Sequence, residues 1–108
     1  MSKNRIQELA LRIALEFQPE RIILFGSHAR GDATPDSDVD LLVVLPHKGK
    51  GWRRAAEIRS RLRPDFPLDL LVRTPEEISK RLAEGDPFIG ELAEKGEILY
   101  ERDHAAMG

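Results

Sequence analysis

Gly26-Ser27-His28-Ala29-Arg30-Gly31 and, one loop later, Ser37-Asp38-Val39-Asp40-Leu41 decide how this chain is read. The second stretch opens an apolar run, Val39 to Leu45, that only Asp40 interrupts. A lone carboxylate in a buried strand is costly unless it is paired or holds a metal. Side chains alternate along a strand, so Asp38 and Asp40 point to the same face. Two like charges that close repel, and a divalent cation between them removes the penalty. The first stretch follows Arg21-Ile22-Ile23-Leu24-Phe25, a short apolar run with the composition of a buried strand. Gly26 ends it, and after Ser27 the short segment His28-Ala29-Arg30 could form one helical turn. A strand-to-helix turn built on glycine leaves backbone N–H groups free to face an anion. Ser27 adds a hydroxyl donor and Arg30 a cation, so Gly26, Ser27 and Arg30 form a candidate phosphate cradle.

A third acid has the same character. Asp69 interrupts the apolar run from Leu68 to Val72. If that strand pairs in register with the one carrying Asp40, three carboxylates converge. Asp38, Asp40 and Asp69 are therefore the candidate catalytic and metal-binding residues, and their hard oxygen donors suit Mg²⁺ or Mn²⁺. A phosphate cradle beside a carboxylate triad is what metal-assisted nucleotidyl transfer requires.

The remaining elements place these residues in an α/β fold, a small mixed sheet flanked by helices. Ile6, Leu9, Ala10, Ile13, Ala14 and Phe17 recur at helical spacing, which predicts an amphipathic helix over 3–17, stopped by Pro19. Trp52, Ala55, Ile58 and Leu62 share the apolar face of a second long helix ended by Pro64. Thr74-Pro75-Glu76-Glu77 is a capping box that opens a helix through about Leu82. Asp86-Pro87 opens another, expected to carry Phe88, Ile89 and Leu92 inward and to close at Gly96. Ile98 to Tyr100 reads as a short edge strand, with a tail fraying from Glu101.

The chain has 108 residues, enough for one compact domain. Its net charge of −2 gives no strong nucleic-acid signal. Without cysteine it has neither disulfides nor a thiolate metal site. No apolar run approaches membrane-spanning length, and the N-terminus is polar, so a soluble cytoplasmic protein is expected.

Gly26-Ser27, ten residues, then Asp38-Val39-Asp40 resembles the signature of the DNA polymerase β-like nucleotidyltransferase superfamily. Arg30, Gly31 and Ser37 bring the pattern closer to its minimal nucleotidyltransferase (MNT) branch. Asp69 also sits where that family places its third acid. The resemblance covers about the first two-thirds of the chain. It implies that Gly26 and Ser27 hold the triphosphate, that Asp38 and Asp40 bind the metals, and that Asp69 completes the catalytic metal site and helps deprotonate the acceptor. It also implies ATP as the nucleotide and a HEPN-domain protein as partner. In characterised pairs of that type the MNT protein is an antitoxin that adenylylates the toxic partner on tyrosine. Two other functions compete: a binding module that silences its partner without chemistry, and a transferase acting on a small molecule. The second lacks the acceptor domain that larger relatives carry.

Blander readings stand beside these. Ser37-Asp38 is good turn chemistry by itself. His28 is expected to face solvent, and Asp32 and Asp36 to shape the loop. Seven basic residues against Glu57 alone, between Lys48 and Arg63, make either a solvated helix face or a docking surface.

Overall fold

The computed structural model describes residues 2–102. Helix α1 (Lys3–Phe17) is capped by the Ser2 side chain and ends where Gln18 turns left-handed, ahead of Pro19. Strand β1 (Arg21–Phe25) leads through Gly26 into the one-turn helix α2 (Ser27–Arg30). Strand β2 (Val39–Val44), helix α3 (Gly51–Leu62) and strand β3 (Leu68–Arg73) form a crossover unit. Helices α4 (Pro75–Ala83) and α5 (Pro87–Lys95) follow, and strand β4 (Glu97–Glu101) closes the order. The elements arise where the periodicities predict them.

The four strands form one mixed sheet in the order β3-β2-β1-β4. β1 is antiparallel to β2 and to β4, whereas β2 and β3 are parallel. Parallel neighbours need a long connection, and α3 supplies it. The alternation along each strand divides the core into two layers. α1 and α3 cover one face, where Ile6, Ile13, Ile58, Leu24, Leu41 and Val43 are buried. On the other face Ile23, Leu42, Val44 and Leu92 form a smaller cluster, joined by the partly buried Phe25, Leu71 and Ile78. Thus α4 and α5 cover that face thinly, and α4 has no fully buried residue.

Three expectations need correction. Trp52 does not join Ala55, Ile58 and Leu62 in the core. It sits in the first turn of α3, is 66% exposed, and has the Arg53 guanidinium 5.3 Å from its ring centre. Phe88 is likewise in a first turn, 46% exposed rather than inward, while Ile89 and Leu92 are buried as expected. Glu101 does not begin a frayed tail, because it pairs in β4 opposite Arg21 with a 2.6 Å ion pair, and the Arg102 N–H donates to the Glu20 carbonyl. The rest of that tail lies outside the described residues.

Part of the basic segment is engaged within the fold. Arg54 pairs with Glu57 at 2.6 Å, Arg61 reaches Glu16 at 3.4 Å, and both guanidinium groups flank the Phe17 ring. Among the described residues, no helix is long and apolar enough to cross a membrane.

Candidate active site

The site gathers at the end of the sheet where β1 stops and β2 and β3 begin. Antiparallel pairing sets Phe25 opposite Asp40, so the turn at Gly26 folds beside the Asp40 carboxylate. Parallel pairing sets Asp40 directly opposite Asp69. Alternation then puts both side chains on the face carrying α4 and α5, and Asp38, just before β2, is near enough for its charge to act on Asp40. The register condition for convergence is met.

Gly26 is required twice over. Its φ of 74° lies in the left-handed region. A Cβ there would stand 2.2 Å from Asp40 Oδ2, a distance no side chain tolerates. The turn beyond it is tight. The Gly26 carbonyl accepts from the N–H groups of Ala29 and Arg30, both at 3.1 Å, and the Ser27 carbonyl accepts from Gly31 at 3.0 Å. Among the described residues, nothing accepts from the N–H groups of Ser27 and His28. Those two donors open the α2 turn.

The loop from Gly31 to Asp38 is held by its own side chains. Ser37 Oγ accepts from the Thr34 N–H at 2.9 Å, and the Ser37 carbonyl lies 3.4 Å from His28 Nε2. His28 is therefore partly buried and tied to the loop rather than turned to solvent. Arg30 is exposed and pairs with Asp32 at 3.3 Å, yet it also lines the same cavity as Asp40.

The electrostatics follow from this placement. Partial burial raises the Asp40 carboxyl above its ordinary range, the charges of Asp69 and Asp38 raise it further, and His28 and Arg30 oppose the shift. Asp38 and Asp69 are exposed. Among the described residues, no three acidic or histidine side chains already stand at metal-coordinating spacing. The donor set still fits a hard divalent cation: oxygen ligands only, on one face, mutually repulsive at Asp40.

A cavity of about 250 Å³ opens beside Gly26, Arg30 and Asp40 and runs towards α5. Phe25 and Phe88 also line it, their rings packed edge-to-face at 5.6 Å. The sequence reading missed this wall, because Phe88 lies next to the apolar stripe of α5 and looked like part of it.

Residues 6–99 match the family described as nucleotidyltransferase domain. A candidate protein adenylyltransferase of Methanocaldococcus jannaschii is 37% identical over 114 aligned positions, covering 96% of this chain and 75% of that protein. Two solved structures share the fold. A candidate nucleotidyltransferase from Sulfolobus solfataricus aligns with a TM-score of 0.64 at 22% identity, covering 92% of this chain and 79% of that one. A toxin–antitoxin structure with AMP-PNP aligns with a TM-score of 0.56 at 20% identity, covering 94% and 77%.

Proposed function

Because the chain belongs to the nucleotidyltransferase-domain family, we propose that it moves AMP from ATP to a hydroxyl on a separate protein, a HEPN-type toxin, and so acts as an antitoxin. One observation supports the reading of the site: Asp40 is in register with Asp69 and lies against the Gly26 turn, so two of the carboxylates neighbour the proposed phosphate donors.

The residues divide the work. The free N–H groups of Ser27 and His28, with the Ser27 hydroxyl, donate to the triphosphate oxygens. Gly26 lets the backbone approach without a side chain between. Asp38, Asp40 and Asp69 would hold Mg²⁺ or Mn²⁺, which neutralises the triphosphate and lowers the pKa of the attacking hydroxyl. Asp69, exposed on the outermost strand, faces the side from which an acceptor arrives and takes the hydroxyl proton. The partner places that hydroxyl in line with the α-phosphate, using its own binding energy for orientation, so that its oxygen bonds to the α-phosphorus as the bond to the β-phosphate breaks and pyrophosphate leaves.

The relative from Methanocaldococcus jannaschii carries a name in protein adenylylation, and the AMP-PNP structure is a toxin–antitoxin one. Both support a protein acceptor here. The test is co-expression with a HEPN-type protein encoded next to the gene, followed by intact-mass spectrometry. A nucleotide adduct lost in Asp38→Ala is the expected result. A silenced but unmodified partner would replace catalysis with neutralisation by binding.

A further inference from the structure

The cavity beside the Gly26 turn is lined by two unlike kinds of surface. Gly26, Arg30 and Asp40 line it, and so do the rings of Phe25, the cross-strand neighbour of Asp40, and Phe88 on α5. A nucleoside triphosphate has the same two parts, an anionic chain and a flat π-face. Pockets that enclose a drug-sized molecule hold roughly 300–1,000 Å³. At about 250 Å³, this one suits a single ring system rather than a whole nucleotide.

Phe88 is otherwise hard to account for. It is 46% exposed on a helix whose neighbouring Ile89 and Leu92 are buried. It is also held in place. The Asp86 carboxylate accepts from the N–H groups of Phe88 at 2.9 Å and Ile89 at 3.1 Å, and the ring packs edge-to-face with Phe25 at an interplanar angle of 80°. An aromatic ring fixed this way, half in solvent and facing a phosphate turn, is a preorganised stacking surface.

Building on the nucleotidyltransferase reading above, we infer that Phe88, backed by Phe25, is the nucleobase platform: the base lies against Phe88 while the triphosphate runs to Ser27. The base thereby covers apolar surface that the fold leaves open. Stacking is tolerant of base identity, so Phe88 contributes affinity for nucleotides over bare phosphates.

The test compares two probes by calorimetry in Mg²⁺: ATP and inorganic tripolyphosphate. The wild-type protein binds ATP the more tightly. Phe88→Ala weakens ATP by about tenfold or more, the scale of one lost base–aromatic stack. It leaves tripolyphosphate unchanged, and Phe88→Trp keeps ATP affinity. A thermal melt confirms that the half-exposed position leaves the fold intact. Unchanged ATP affinity in Phe88→Ala overturns the inference while the phosphate site stands, and so does an equal loss for both probes. Failure of both probes to bind the wild-type protein would overturn the phosphate turn itself, and the platform with it.

Discussion

A Cβ on Gly26 meets Asp40 Oδ2 at 2.2 Å, on backbone that already has a positive φ. Gly26→Ala must therefore displace either the turn or the carboxylate. The expected cost is about 1–3 kcal/mol of stability, the range for strained backbone, and calorimetry should show ATP binding lost with it. Asp40 works in the other direction. Its carboxyl is raised by burial and by Asp69 and Asp38, so the folded state disfavours its ionised form. Its contribution to stability is fullest at acid pH and declines as pH rises through the raised value. At neutral pH, Asp40→Asn should stabilise the metal-free protein by up to about 1 kcal/mol, the scale of a like-charge pair facing across strands, while abolishing transfer. A lower melting temperature in that variant would refute the repulsion. Ser27 and Ser37 separate chemistry from support. Loss of the Ser27 hydroxyl should slow turnover by about 10²–10³, as for a donor facing developing charge. Ser37→Ala removes the acceptor for the Thr34 N–H and should loosen the loop with far less effect on the rate.

Among the elements, α4 depends most on its own ends, since it has no fully buried side chain. Its capping box is complete: the Thr74 hydroxyl accepts from the Glu77 N–H at 3.1 Å, and Glu77 Oε1 accepts from the Thr74 N–H at 2.9 Å. The hydrogen bond from the Thr74 backbone holds the Glu77 carboxyl below its usual range. That contribution is present above the ordinary glutamate value and is lost as pH falls through the lowered folded one. Thr74→Ala should cost about 1 kcal/mol, measured by denaturant unfolding at neutral pH, and because it keeps the backbone N–H that donates to Glu77, the loss of stability in acid should persist in it. This box was legible in Thr74-Pro75-Glu76-Glu77, as were the three strands and their acids, because each rests on local pattern. Trp52 and Phe88 were not. Each lies in the first turn of a helix, where an apolar residue fits the stripe on paper but reaches past the edge of the layer it should cover. The approach of Gly26 to Asp40 was also hidden, because it depends on the antiparallel register of β1 with β2, which no spacing encodes.

Across the whole molecule, the two faces of the sheet are unequally covered. α1 and α3 bury the larger cluster, while α4 and α5 lie over the smaller one. Hydrogen exchange should follow that difference. Amides of β1, β2 and α1 should open only with global unfolding, and those of α4 through a smaller opening. Uniform protection across all five helices would contradict this. The active site faces the thinly covered side, so nucleotide binding should slow exchange in α5 while leaving α1 unchanged.

The parallel pairing of β2 with β3 has a consequence for the order in which the chain folds. β1 and β2 can meet across the α2 turn and its loop, and that hairpin already brings Gly26 to Asp40. Asp69 arrives only after α3 has docked and the crossover has closed, a contact of much longer loop entropy. A partly folded chain can thus present the Gly26 turn beside Asp40 before Asp69 arrives. If the proposed site is right, nucleotide transfer requires the finished fold: a nascent or damaged copy with α3 undocked would bind a triphosphate without cleaving it.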